Sequence, residues 1–369
     1  MSDPHRPLRR SELEQLEYLD SMEGITRAET SAPPSLLSRL PRGALLHAIY
    51  PGVLVALTIG LASTFLSDHY GAPVMLFALL IGMAFHFLHE EGRCVAGIEF
   101  ASRTILRLGV ALLGVRITFD QIASLGAGPV LMVIAGVTTT ILVGLALARA
   151  LKLTPTFAVL SGGAVAICGV AAALAIASVL PRTPQTERDT ILAAISVTAL
   201  STLAMIAYPL FVGYAGFNHE IAGIFLGGTI HDVAQVVGAG YMISPETGDI
   251  ATYVKMLRVA MLLPVVLIIA LVIARTGAAG EKRRATLLPT FLIGFAVLVA
   301  INSTGLIPKD AGQAINDISR WCLVTAIAAL GMKTSFKKLI EVGFRPVGLM
   351  LAETAWIAGV VLVAVVWLI

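Results

Sequence analysis

From residue 44 onward the chain is a succession of apolar runs, each long enough to cross a hydrocarbon layer ~30 Å thick, separated by short polar joints. In lipid every backbone N–H and C=O needs a partner within the protein, so runs of this length are helices. They lie near 44–66, 72–88, 95–117, 128–148, 155–180, 187–213, 219–242, 250–275, 286–306, 315–333 and 347–369, about eleven in all. Charged residues make up 13% of the chain, about half the share of a water-soluble domain, which excludes a globule wetted on every side. With 26 Lys+Arg against 23 Asp+Glu, the balance is too even to argue for nucleic acid. Glycines and prolines are frequent, which suits membrane helices that pack closely and break. The cysteines Cys94, Cys168 and Cys322 lie in or beside apolar runs, so no disulfide framework is implied. The expectation is an all-α polytopic membrane protein.

Residues 1–43 form the one sizeable polar segment, and 44–369 the membrane domain. The polar segment starts basic (Arg6, Arg9, Arg10) and lacks the apolar core of a signal peptide. Ser11 to Glu14 reads as a capping box opening a short amphipathic helix with Leu13, Leu16 and Leu19 on one stripe; Pro33, Pro34 and Pro41 follow. Basic residues set orientation. Arg39, Arg42, Arg93, Arg149, Lys152, Arg275, Lys282, Arg283, Arg284, Lys333, Lys337, Lys338 and Arg345 flank joints on one side, whereas 67–71, 117–127 and 243–249 hold no Lys or Arg. That places the N-terminus inside and the C-terminus outside. Arg182 and Arg188 dissent, unless the fifth and seventh runs re-enter rather than cross.

A shift of 217 positions lays 102–130 on 319–347 without a gap, matching Ser102 with Ser319, Arg103 with Arg320, Gly114 with Gly331 and Pro129 with Pro346. With the third run directed outward and the tenth inward, the copies are inverted. Inverted repeats give secondary transporters a site reachable from both faces.

Two runs interrupt their helical pattern near the middle. The fifth holds Gly162, Gly163, Cys168 and Gly169; the seventh holds Gly227, Gly228, Thr229, His231, Asp232 and Gln235. Paired glycines cost a helix roughly 1 kcal/mol each relative to alanine, and are expected here to mark unwound backbone, so that 155–180 and 219–242 are discontinuous or re-entrant helices. A helix resuming after a break offers free N–H groups and a partial positive charge, an anion site. Ionisable residues inside the membrane point to function; Asp232 could take a proton or cation, and His231 titrates near neutrality. Glu353 is a second intramembrane carboxylate. Glu99, Arg103 and Arg107 are spaced by four and share a helix face, Arg103 paired with Glu99 and Arg107 deeper, both as candidate anion ligands. No enzyme motif, cofactor fingerprint or metal-ligand spacing occurs, so the chain is expected to be no enzyme and to need no cofactor or metal.

The runs LRLGVALLGVRITFDQI (106–122), GGAVAICGVAAALA (162–175), GGTIHDVAQVVGAG (227–240) and ALGMKTSFKKL (329–339) resemble those of the YeiH family of bacterial inner-membrane proteins, labelled sulfate exporters. The likeness covers roughly 44–369. It implies the cation:proton antiporter and anion transporter superfamily, inverted repeats, two discontinuous helices crossing at the substrate site, and a core bundle moving against a scaffold. The 217-position shift does not put the two broken runs in equivalent places, a departure from that pattern. The resulting expectation is a proton- or ion-coupled transporter of sulfate or an organosulfonate, multi-pass in the bacterial inner membrane, partnered by lipid and, by class behaviour, homodimeric. The substrate ligands would be Gly162, Gly163, Cys168, Gly169, Gly227, Gly228, Thr229, Gln235, Arg103 and Arg107, with His231, Asp232 and Glu353 coupling. A cation/proton antiporter and a non-transporting sensor or assembly partner are the alternatives.

Overall fold

The computed structural model describes residues 42–71, 73–90, 92–181, 183–275, 289–334 and 344–367. The amphipathic stretch after Ser11, and Arg182, Lys282, Arg283, Arg284, Lys337 and Lys338, lie outside the described residues, as does the middle of the second repeat copy. Among the described residues the regular structure is wholly helical. Helix α1 spans Arg42–Tyr70 and α2 Val74–Ala84; α3 is the continuous run Val95–Phe100, Ala101–Ile105 and Leu106–Leu112, and α4 spans Gly128–Ala150. Then come α5 (Pro155–Ala166), α6 (Val170–Val179), α7 (Pro184–Ala215), α8 (His219–Thr229), α9 (Val233–Ile243), α10 (Pro245–Ala260), α11 (Leu262–Arg275), α12 (Thr290–Ser303), α13 (Lys309–Lys333) and α14 (Phe344–Trp367).

Local chemistry sets these boundaries. Thr-Pro, Thr-Pro and Ser-Pro pairs start α5, α7 and α10: proline fits the first helical position because its missing N–H is not needed there. The preceding hydroxyl accepts a free first-turn amide, with Thr154 taking Phe157 N–H at 3.0 Å, Thr183 taking Thr186 N–H at 3.1 Å and Ser244 taking Thr247 N–H at 3.0 Å. The Asn218 side chain does the same for α8.

Among the described residues, five helical stretches are long and apolar enough to cross a membrane: His47–Tyr70, Gly128–Ala150, Pro184–Ala215, Pro245–Ile273 and Phe344–Val366. The other apolar runs form helices that are shorter, interrupted or less uniformly apolar. The fifth and seventh runs are each cut in two, and the third widens into a π turn at Ala101–Ile105 and tightens into a 3-10 turn at Leu113–Arg116. The tenth is amphipathic, with Lys309, Asp310, Asp317 and Arg320 in its first half.

The helices pack as two groups. In one, α13 lies against α1, α2 and α3, with α12 against α3. In the other, α4, α7 and α14 pack around α5, and α10 lies along both α8 and α9. Contacts of α9 with α2 and α13, and of α10 with α12, join them, and α11 packs on α6. Lipid tails are as apolar as leucine, so such helices hold together by close backbone approach. Gly82 of α2 and Gly331 of α13 show it: a methyl group on Gly331 would sit 3.0 Å from the Gly82 Cα.

Candidate functional site

The two breaks meet. Helix α5 ends at Ala166, and Ile167, Cys168 and Gly169 carry the chain across to α6; α8 ends at Thr229, and Ile230, His231 and Asp232 lead into α9. Gly169 takes φ +70°, ψ −129°, a conformation that side chains with a Cβ reach only with strain. Each interruption leaves carbonyls at the end of one half-helix and amides at the start of the next without partners in the helix. The two kinds of orphan are handled in opposite ways.

Six carbonyls at the breaks accept from two cations of α10. Lys255 Nζ donates to the carbonyls of Ile167 at 2.7 Å, Ile230 at 3.1 Å and His231. Arg258 donates through Nε to Ala166 at 3.0 Å, through Nη2 to Val165 at 2.8 Å, and through Nη1 to Ile230 at 2.9 Å and Gly227 at 3.2 Å. Six carbonyls, three from each break, are thus gathered on two side chains that are fully buried. Positive charge at helix C-termini is the favourable sign. His231 is a strut in the same knot: Nδ1 bonds the Val165 carbonyl at 3.0 Å, so this nitrogen carries a proton, and Nε2 meets Thr354 Oγ1 of α14 at 3.0 Å.

The residues that begin α6 and α9 border a cavity of about 80 Å³ between the two helix groups. A buried water needs ~10–15 Å³ of comparable space, so this is room for one small polyatomic ion. One wall is Cys168, Gly169, Val170 and Ala171 of the first break with Asp232, Val233, Ala234 and Gln235 of the second; Arg103 and Arg107 of α3 and Lys333 of α13 also line it. Three cations thus face one carboxylate. At α9 the amides are already used: Asp232 accepts from Ala234 N–H at 2.8 Å and Gln235 N–H at 3.4 Å. At α6 no side chain caps the helix, so its first-turn amides are the donors left to a ligand.

Helix α7 supports this wall. Ser201 Oγ accepts from Asp232 N–H at 3.0 Å, and Thr202 Oγ1 accepts from Gln235 Nε2 at 2.8 Å. The Gln235 carbonyl oxygen is buried with no hydrogen-bond partner among the described residues. Arg103 pairs with Glu99 at 3.3 Å, and Glu99 also lies 3.7 Å from His89. The π turn falls on Arg103; such turns are frequent at functional sites. A second cavity of about 380 Å³, lined among others by Leu113, Arg116, Tyr241, Asn316, Asp317 and Arg320, lies at the opposite ends of α3, α9 and α13. Beside it Arg116 pairs with Asp249 at 3.1 Å, and the Tyr241 hydroxyl donates to the same carboxylate.

Of the residues singled out from sequence, Cys168, Gly169, Asp232, Gln235, Arg103 and Arg107 come together at the smaller cavity. The paired glycines do not. Gly162 and Gly163 are inside α5, against Ile141 and Ile176, and Gly227 and Gly228 are inside α8, against Val254 and Val361. They let helices approach, and the backbone breaks farther on, which corrects the expectation that the pairs themselves are unwound. Thr229 is turned back to the Phe225 carbonyl at 2.7 Å. Glu353 is buried away from the cavity, where one oxygen accepts from Ser161 at 2.9 Å and the other has no partner among the described residues.

The sequence reading does not single out Lys255, Arg258, Ser201 or Thr202. A signal existed for the first two: cations three apart inside an apolar run can escape to water only with difficulty, and so imply internal acceptors.

The family model described as "Conserved hypothetical protein 698" matches residues 51–350. A UPF0324 membrane protein of Chlorobaculum tepidum is 61% identical over 86% of this chain and 90% of its own length. The UPF0324 membrane protein TauZ of Paracoccus denitrificans is 52% identical over 86% of this chain and 95% of its own. A Rhizobium meliloti UPF0324 membrane protein is 52% identical over 86% and 93%.

Proposed function

The chain belongs to the UPF0324 family of membrane proteins, and from that premise we propose that it is a secondary transporter of a small anion, sulfate or an organosulfonate, working by alternating access. The observation that carries this reading is the cavity at the two helix breaks, where uncapped first-turn amides of α6 share a small space with Arg103, Arg107 and Lys333. An anion there gains from the helix terminus and from cations acting in a low dielectric. A bidentate guanidinium suits the parallel oxygens of a sulfate or sulfonate.

Two further observations support movement across the membrane. The cavities lie at opposite ends of the same three helices, and the stretch between them is short, since α9 is only about 16 Å long. The breaks belong to one packing group and the arginines to the other, so a shift of one group against the other carries the amides from one cavity toward the second. In this reading the long and short helices together make about eleven passes with inverted repeats, the N-terminus is cytoplasmic and the C-terminus periplasmic, and the smaller cavity faces the cytoplasm. Asp232, the carboxylate of the cavity, couples transport to protons.

The test is uptake of radiolabelled sulfate and a labelled sulfonate into liposomes holding the full-length protein, with and without a pH gradient. Saturable uptake that an Arg107→Ala variant loses is the expected result. Sodium- or lithium-driven proton flux that ignores the anions and Arg107 would instead favour the cation/proton antiporter.

A further inference from the structure

Transporters with broken helices place their coupling cations where unwound carbonyls and half-helix C-termini converge. In this protein that position belongs to Lys255. Its ammonium bonds the carbonyls of Ile167, Ile230 and His231, one from the first break and two from the second. Three acceptors match the three N–H donors of an ammonium. Oxygen atoms from two chain segments closing around one positive charge is the arrangement by which a protein binds an alkali cation; here the charge is covalently attached. Arg258, three residues on, holds four carbonyls of the same knot. The charge of Lys255 also acts on the Asp232 carboxylate across the second break.

We propose that Lys255 is the resident cation of the helix crossing: its ammonium fills the place of a coupling metal ion, so the protein needs no sodium or lithium, and removing the side chain exposes a latent alkali-cation site made of the Ile167, Ile230 and His231 carbonyls. The inference deepens the transport reading by fixing what the coupling ion is not, and rests on that reading only for its consequence for flux. Its physical content, which cation sits at the crossing, is read without any anion.

The test is thermal unfolding of the full-length protein in detergent, in sodium, lithium or choline chloride at equal ionic strength. A cation that binds only the folded state raises the melting temperature by mass action. The native protein is expected to melt at the same temperature in all three salts. Lys255→Ala is expected to melt lower in choline and to recover several degrees in sodium or lithium, or in methylammonium, which returns the missing head group. Should Lys255→Ala not leave the membrane folded, Lys255→Ser, which also empties the place of the ammonium, is measured in its place. Stabilisation of the native protein by sodium overturns the proposal, and so does a folded variant indifferent to every cation. Either outcome is independent of anion flux: a protein that carries no anion yet shows the salt pattern above keeps the proposal and loses the transport reading.

Discussion

The two faces of the helix crossing are made from the same interruptions and have opposite fates. On the carbonyl face, Lys255 and Arg258 reach in from α10 and tie six carbonyls into a buried knot. On the amide face, Asp232 closes α9 with its own carboxylate while α6 opens onto a cavity lined by Arg103, Arg107 and Lys333. Burial without partners is costly for either kind of group. The carbonyl side is therefore fixed structure, and the amide side, where a ligand can complete the hydrogen bonding, is where binding energy is available. The half-helices of the amide face are held from behind by Lys255 and Arg258.

Substitutions at the knot sharpen that contrast and carry the largest expected effects. Arg258→Ala removes the side-chain donor from the Ala166 and Gly227 carbonyls, at about 1–3 kcal/mol for each left buried and unsatisfied, while Val165 keeps His231 and Ile230 keeps Lys255. Little monodisperse protein is expected after detergent extraction, as read by size-exclusion chromatography, and Arg258→Lys should rescue only part of it, since lysine lacks the fork. Gly169→Ala comes next. A Cβ there has room, with the nearest atoms 3.9 Å away, so the damage is backbone strain of about 1–3 kcal/mol. A lower melting temperature, together with weaker anion-dependent stabilisation, is the outcome to look for.

On the amide face stability should barely move while binding does. Arg107→Ala is expected to weaken anion affinity tenfold or more, about 1.4 kcal/mol, with the ligand-free melting temperature close to native. An equal loss in both would place Arg107 in the fold instead. The smallest stability effect belongs to Asp232→Asn, because asparagine caps a helix about as well as aspartate. Its flux in liposomes should lose the dependence on a pH gradient. Unchanged coupling in that variant would remove Asp232 from the proton path.

The same contrast separates what the sequence discloses from what it hides. The apolar runs, the presence of a break within each of 155–180 and 219–242, and the Glu99–Arg103 spacing are local signals, and local rules read them. The glycine pairs mislead by a few residues, because a weak helix propensity yields to the packing gained where Gly162 meets Ile141 and Gly227 meets Val254. Lys255 and Arg258 are harder: their partners lie between 24 and 93 residues away along the chain, and nothing in a run of hydropathy says which carbonyls they reach. The inward-facing polar set of α7, Ser201 and Thr202, is invisible for the same reason. The π turn at Arg103, which packs against α13, carries no sequence mark.

The most direct measurement is the melting temperature of the detergent-purified protein across sulfate, thiosulfate, sulfite, taurine and isethionate, each as the native chain and as Arg107→Ala. A selective rise with one sulfur oxyanion or sulfonate in the native chain, abolished in the variant, is the expected result. A rise common to both proteins, or none with any anion, would contradict an anion site on the amide face of the crossing.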